Sequence, residues 1–428
     1  MRLKVLNSQF IKVSEKPLVR DTLRMLISNG LKLFVQAAYF IVIARALGVQ
    51  DYGAFLAITS LAKVIAPFAT WGSGDILIKH VSRNKAVFAQ FWGNYLFIIL
   101  ILSSILTAFV LLFGTAILPR SVSQLSVILI LFSELLCTLV IDGSAKAFLS
   151  INQMKRTAQI NILISLKNLV AALILIYGFE EIGLTLWTVL YFSTTLAAAL
   201  ICLFLVTQKI GSPKLSLSRI KTELAQGFYF SVSLSAETIN HNMDKAMLAR
   251  LSTLKATGIY GAAYRLIDVT FVPVQSLMVA SYAKFFQKGR AGISGSLKFS
   301  VQLSLIASLY GIVAGLALFS LAPIVPFILG NEYATAVEAL RWLSPLPFLL
   351  ALQFFAADTL TGAGFQGTRS VVQVAAALFN FLTNLWLIPL YSWRGAAWSS
   401  LASDGLKMLV LWLLVFLLYR REIKAKQI

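Results

Sequence analysis

The side chains in this 428-residue chain that could do chemistry are ionisable groups lodged inside long apolar stretches, not only in the turns between them. Glu237, His241, Asp244 and Lys245 fall at i, i+4, i+7 and i+8, a stripe along one helical face, and Ser231, Ser233, Thr238, Asn240 and Asn242 extend its polarity. Asn29, Lys32, Gln36 and Tyr39 form a second stripe at i, i+3, i+7 and i+10, and Lys63 sits deep in the next apolar run. Arg265 and Asp268 are one helical turn apart, positioned to pair with each other or with Asp244, while Asp142 precedes Lys146 in the favourable i, i+4 order. Asp75 adds one more acid. An uncompensated lysine near the centre of a bilayer costs about 2.5 to 3.5 kcal/mol, so such groups are read first as contacts to something polar that must pass. The pattern is not catalytic. No DxD pair, phosphate-binding glycine loop or His/Glu metal motif is present. With only His80, His241, Cys137 and Cys202, a histidine cluster, a disulfide framework and a cysteine metal site are all unsupported. The expectation is no enzyme activity, no metal and no cofactor.

The elements that must position these groups are apolar helices. Hydrophobic residues make up 58% of the chain and charged residues 13%, with a mean hydropathy of +0.82, far from the roughly 25% charge of a soluble domain. Twelve spans are predicted at 25–45, 54–78, 90–113, 122–147, 157–178, 183–207, 225–249, 257–283, 298–328, 335–362, 369–390 and 395–419, the ninth interrupted by Pro323 and Pro326. Most reach the ~20 residues that cross about 30 Å of hydrocarbon. This is an all-α polytopic membrane protein. Its connections are too short for the catalytic loop of a membrane glycosyltransferase or polymerase.

Thirty-seven basic against 17 acidic residues give a net charge of +20, and topology accounts for most of the excess. Arg2, Lys4, Lys12, Lys16, Arg20 and Arg24 precede the first span, and bases recur in every second loop through Arg420, Arg421, Lys424 and Lys426. The alternate loops hold little beyond Arg120, Arg250, Lys255 and Arg394. An even number of spans with this bias places both termini in the cytoplasm. The basic loops suit anionic membrane lipids, and no aromatic-interleaved basic module calls for nucleic acid. The first 24 residues are too polar for a signal peptide, and the first helix is expected to be retained.

The chain also looks doubled. Ala44-Arg45-Ala46-Leu47-Gly48 with Asp51-Tyr52-Gly53-Ala54 is echoed by Ala249-Arg250-Leu251 with Gly258-Ile259-Tyr260-Gly261-Ala262, the two Tyr-Gly pairs standing 208 residues apart. Six spans per half make parallel repeats that meet around a central cavity. The predicted organisation is a basic cytoplasmic segment (1–24), an N-lobe of six spans (25–207), a cytoplasmic linker (208–224), a C-lobe of six spans (225–419) and a basic cytoplasmic tail (420–428).

Arg45-Ala46-Leu47-Gly48 followed by Tyr52-Gly53, then Asn242-Met243-Asp244-Lys245 with Met247-Leu248, and Gly258 to Arg265, resemble the Wzx-like polysaccharide (O-antigen/exopolysaccharide) flippases of the multidrug/oligosaccharidyl-lipid/polysaccharide (MOP) exporter superfamily. The resemblance runs the length of the chain. It implies a multi-pass bacterial inner-membrane protein that moves a polyprenyl-pyrophosphate-linked oligosaccharide to the periplasmic leaflet, working beside polysaccharide polymerase machinery. An ion-coupled multidrug exporter of the same superfamily is the alternative. On the flippase reading Asn29, Lys32, Gln36, Lys63, Glu237, His241, Lys245 and Arg265 contact substrate in the cavity, and Asp75, Asp142, Lys146, Asp244 and Asp268 form ion pairs or couple the cycle. Local readings remain open beside these: Lys32 is also placed to snorkel to headgroups, and Asp244 and Arg265 also to lock two helices together. Trp71, Trp92, Trp187, Trp342 and Trp393 read as membrane-interface anchors, and Pro345 and Pro347 as a kink in the tenth helix.

Overall fold

The computed structural model describes the backbone of residues 2–119 and 121–427, and side chains between 34 and 424 except 114–117, 120, 219, 221–222, 225–230, 232–234, 236–237, 279–280 and 283. Without water in the hydrocarbon, backbone groups must be satisfied within each segment, and helices do this. The elements are α1 (Arg2–Thr70), α2 (Ser73–Val81), α3 (Phe88–Ile117), α4 (Gln124–Ser150), α5 (Met154–Gly178), α6 (Leu184–Lys209), α7 (Leu217–Leu251), α8 (Leu254–Gly289), α9 (Ile293–Leu329), α10 (Ala336–Gly362), α11 (Gln366–Tyr391) and α12 (Trp393–Gln427). Among the described residues there is no strand.

Among the described residues, nine segments are long and apolar enough to cross a membrane. One of them, Phe34–Thr70, holds most of the first two predicted spans, and α7 and α8 are long enough but too polar to qualify, so the twelve predicted spans are all accounted for. The polarity of α7 and α8 has a structural reason: both face the interior cavity described below. The protein is a multi-pass membrane protein with two six-span lobes.

Several boundaries moved. The first two spans form one helical run broken at Gly48, whose φ of 70° and ψ of 173° suit a residue without Cβ. The predicted span 54–78 is split at Trp71 and Gly72, both at positive φ. The predicted interruption of the ninth span is a 3₁₀ turn at Ala322–Ile324, and the tenth breaks before Pro345. Carboxylates satisfy two helix starts: Asp51 accepts from the Leu184 amide at 2.9 Å, and Glu422 accepts from the Ile293 and Ser294 amides at 2.7 and 2.9 Å.

The two halves interlock where α1 breaks and where α7 turns into α8, here called the turn end. A Cβ on Gly53 would lie 1.9 Å from the Leu254 carbonyl oxygen, and one on Gly258 would lie 2.1 Å from that of Val49. The doubled glycine signal therefore marks two turns packed backbone to backbone. At the opposite, linker end, the Lys214 amide donates to the Ala89 carbonyl at 2.7 Å. Buried Asn94 donates to the Ser216 carbonyl and to Glu223 and accepts from the Ser216 amide.

The tryptophan reading needs correction. Trp92 and Trp187 are fully buried and Trp393 nearly so, whereas Trp342 is 43% exposed. Trp187 packs against Phe55, Tyr39 and Tyr191, so it is core of the first half and not an interface anchor.

Candidate functional site

Beneath the turn-end seal lies a cavity of about 490 Å³ bounded by both halves. It begins at Tyr52, Phe55 and Gly261 and runs toward the linker end as far as Lys63 and Gln275. Lys63 lies ten residues past Gly53, about 15 Å along the helix, and Arg265 seven residues past Gly258, about 10 Å. Charge thus forms a belt below an aromatic cap.

The C-half wall comes from α7 and α8. Lys245 is buried except for its edge on the cavity, its Nζ 3.5 Å from Asp244 Oδ1, donating to the His241 carbonyl at 2.5 Å and lying 3.9 Å from the centre of the Tyr264 ring. This geometry leaves the ammonium oriented by three neighbours. Asp244 turns away from the cavity into the C-half, accepting from the hydroxyls of Tyr260 and Ser400 and from the Lys245 amide. Neither Asp244 nor Asp268 forms an ion pair with Arg265 among the described residues, which overturns both predicted pairings. The reason is direction: Asp244 faces α8 and α12, while Arg265 and Asp268 face the cavity. The His241 ring edge meets Tyr264, with Nδ1 3.5 Å from its hydroxyl.

The N-half wall was less legible. A single π turn at Ser133–Cys137 interrupts α4 and carries Glu134, whose carboxylate accepts from Tyr191 at 2.5 Å and reaches the cavity. Such bulges add a residue to a helix and redirect a side chain. Behind it, buried Lys167 donates to Thr195 at 2.6 Å and Asn168 at 2.9 Å and lies over the Tyr191 ring. Gln36 lines the same wall and donates to Ser165 at 3.3 Å.

The structure therefore gathers Gln36, Lys63, His241, Lys245, Arg265 and Asp268 around one cavity. The side chains of Asn29, Lys32 and Glu237 lie outside the described residues. Asp75, Asp142 and Lys146 meet away from it, Lys146 Nζ standing 3.6 Å from each carboxylate. Asp404 is likewise a packing group, 2.9 Å from Lys407 and contacted by Asn240 and Gln353. Tyr39 lies on the predicted polar stripe beside Gln36, whereas sequence reasoning missed Glu134, Asn168, Tyr52, Phe55, Tyr191 and Tyr264 as cavity lining. Glu134 alone had a usable signal, a carboxylate inside an apolar run; lone aromatics in apolar helices carry none. Cys137 and Cys202 are free and buried, and no group of three or more potential metal ligands occurs among the described residues.

Comparison with known proteins converges on this architecture. A putative O-antigen transporter of Escherichia coli (strain K12) is 25% identical over 218 residues, 50% of this chain, and the chain spans about half (52%) of that relative's length. Among solved structures, an inward-facing multidrug resistance MATE family transporter of the MOP superfamily superposes with a TM-score of 0.76 at 14% identity, covering 92% of this chain and 96% of that one. An outward-facing one gives 0.61 at 13% identity with the same coverage. A MOP superfamily transporter from Pyrococcus furiosus Vc1 (DSM3638) gives 0.62 at 14% identity, covering 94% and 96%. The sequence itself matches the family described as "Polysaccharide biosynthesis protein" over residues 18–286, well over half its length. With 269 of 428 residues matched, the chain belongs to the polysaccharide biosynthesis protein family, and the superpositions show that it shares the fold of these transporters.

Proposed function

We propose that this protein is a flippase that carries a polyprenyl-pyrophosphate-linked oligosaccharide from the cytoplasmic to the periplasmic leaflet of a bacterial inner membrane. The lobes 25–207 and 225–419, joined by the 208–224 linker, rock about their interface in alternating access, the lipid tail staying in the bilayer. One observation carries the reading: Lys63, Lys245 and Arg265 face a single cavity between the two halves, below a cap of tyrosine and phenylalanine rings. A pyrophosphate diester holds about two negative charges, and leaving water is prohibitive unless charged donors replace its hydration. Lysine and arginine do so at the belt, and the rings of Tyr52 and Phe55 above it, with Tyr39 and Tyr264 level with the charges, offer faces for sugars. The basic loops gather at the linker end, so the linker end is cytoplasmic and the sealed turn end periplasmic. The closer superposition on an inward-facing relative supports that assignment. Each anionic charge moving outward gains about 2.3 kcal/mol per 100 mV of potential.

The multidrug-exporter reading retains one supporting observation, the carboxylates of Glu134 and Asp268 on the cavity wall. The test uses single Lys63→Ala and Arg265→Ala variants, assayed for surface polysaccharide at equal protein levels. Loss of one charge-assisted contact worth about 1.5 to 3 kcal/mol lowers flux by about 10- to 100-fold. Full polysaccharide in both variants removes the cationic site. Resistance to ethidium conferred by the parent chain, with no effect on polysaccharide, favours the drug exporter.

A further inference from the structure

The break at Gly48 creates two sets of helix-end groups. The arm ending there has carbonyls without intrahelical donors, and the arm beginning there has amides without intrahelical acceptors. One member of each set finds a partner on the other half of the molecule, in one two-residue segment of the α9–α10 connection. Glu332 Oε2 accepts from the Val49 amide at 3.1 Å, and the buried Tyr333 hydroxyl donates to the Ala44 carbonyl at 3.0 Å. A carboxylate at a helix start is also favoured by the helix dipole. The cradle is specific. A Cβ on Gly48 would stand 2.9 Å from the same Oε2, at a φ that other residues rarely adopt. The Tyr333 ring further meets the edge of Tyr52, one residue from Gly53 in the glycine seal.

We infer that Glu332 and Tyr333 are a latch that holds the turn end shut, with Gly48 as its keeper. This rests on the alternating-access reading above. Opening the turn end separates the halves and must break both hydrogen bonds. Glu332 is solvent-exposed, so its carboxylate and the Val49 amide are rehydrated when they part. A bond exchanged for water has a modest net value, which suits a seal that must open in every cycle. Tyr333, being buried, supplies the apolar part of the closure.

The test measures opening without any lipid substrate. A Ser60→Cys reporter is placed on the cavity wall in a Cys137→Ala/Cys202→Ala background, and spheroplasts receive a membrane-impermeant maleimide from outside. Glu332→Ala is expected to raise the labelling rate about tenfold, the change that 1.4 kcal/mol produces. Tyr333→Phe is expected to raise it severalfold, Glu332→Gln less than Glu332→Ala, and Gly48→Ala at least as much. Glu338→Gln is the control: its carboxylate pairs with Arg394 at 2.7 Å within the C-half, and it should label at the parent rate. Parental rates for both Glu332→Ala and Tyr333→Phe overturn the latch, as does equal acceleration by Glu338→Gln. Immediate labelling of the parent overturns the sealed turn end itself. Accelerated labelling in a protein that moves no lipid-linked sugar leaves the latch standing and sinks the proposed substrate.

Discussion

Replacing Asp244 with Asn and Lys245 with Met, singly and together, separates two roles that the stripe on α7 leaves entangled. The charges stand 3.5 Å apart with side chains 1% and 10% exposed. At an effective dielectric near 20, Coulomb attraction at that distance is about 5 kcal/mol. The lysine's own desolvation cost cancels in the cycle, and since contacting groups usually couple by about 0.5 to 3 kcal/mol, a coupling of about 2 kcal/mol is expected. Asp244→Asn alone leaves Lys245 buried without its counter-charge and should cost about 3 to 5 kcal/mol. Lys245→Met should cost less, because the Tyr260 and Ser400 hydroxyls still donate to the carboxylate. The double variant should be less destabilised than the sum of the singles by about 2 kcal/mol. Unfolding in mixed detergent micelles gives the four free energies. Additivity within about 0.5 kcal/mol would show that the pair does not hold the C-half together, and the structural role assigned to Asp244 would fall.

Trp187→Ala should destabilise the folded protein by about 3 to 5 kcal/mol, seen as lost monodisperse protein on detergent size exclusion, while exposed Trp342→Ala should leave the elution profile unchanged. Glu422→Gln removes the charged acceptor from two amides at the start of α9 and should cost about 1 to 2 kcal/mol; faster hydrogen exchange over 293–297, with no change at the start of α6, is the check.

What the sequence makes legible is whatever depends on one helix at a time. Hydropathy places the spans, charge bias alternates the loops, and the 3.6-residue period puts His241 and Lys245 on one face of α7, where both line the cavity. What it hides depends on which neighbour a face meets. Asp244 lies on the same stripe, yet it serves Tyr260 and Ser400 because α8 and α12 pack there, a fact absent from the spacing of α7. Arg265 and Asp268 are one turn apart on α8 and do not form an ion pair, since both reach into open volume. Trp92 and Trp187 sit near span ends, as anchors do, but close packing of the N-half buries them. The glycine repeat was visible as a pattern. Its meaning, a 1.9 Å demand on the Leu254 carbonyl, appears only when two distant turns meet.

The intramembrane charges then divide by whether water or a passing solute can reach them. Asp75 and Asp142 with Lys146, Asp404 with Lys407, and Asp358 with Arg369 are matched across short gaps, and Asp358, Asp404 and the Lys407 and Arg369 side chains are largely withdrawn from solvent. Asp75–Lys146 and Asp358–Arg369 tie one helix to another, whereas Asp142–Lys146 and Asp404–Lys407 pair within one helix. The cavity presents a different balance: Lys63, Lys245 and Arg265 against Glu134 and Asp268. With Lys245 already neutralised by Asp244, the wall charges nearly cancel. On the flippase proposal, a pathway for a dianionic headgroup benefits from that arrangement. A wall of unopposed cations would bind a pyrophosphate tightly and hold it, whereas transport needs entry favourable enough to desolvate the group and binding weak enough to let it leave. Carboxylates interleaved with the cations lower the affinity without removing the donors, and they offer acceptors to sugar hydroxyls. On this reasoning Glu134→Gln, compared at equal amounts of folded protein, should slow release rather than weaken capture: apparent affinity for the lipid-linked sugar rises while turnover falls. An affinity that drops with turnover would mean that Glu134 binds substrate and does not balance it.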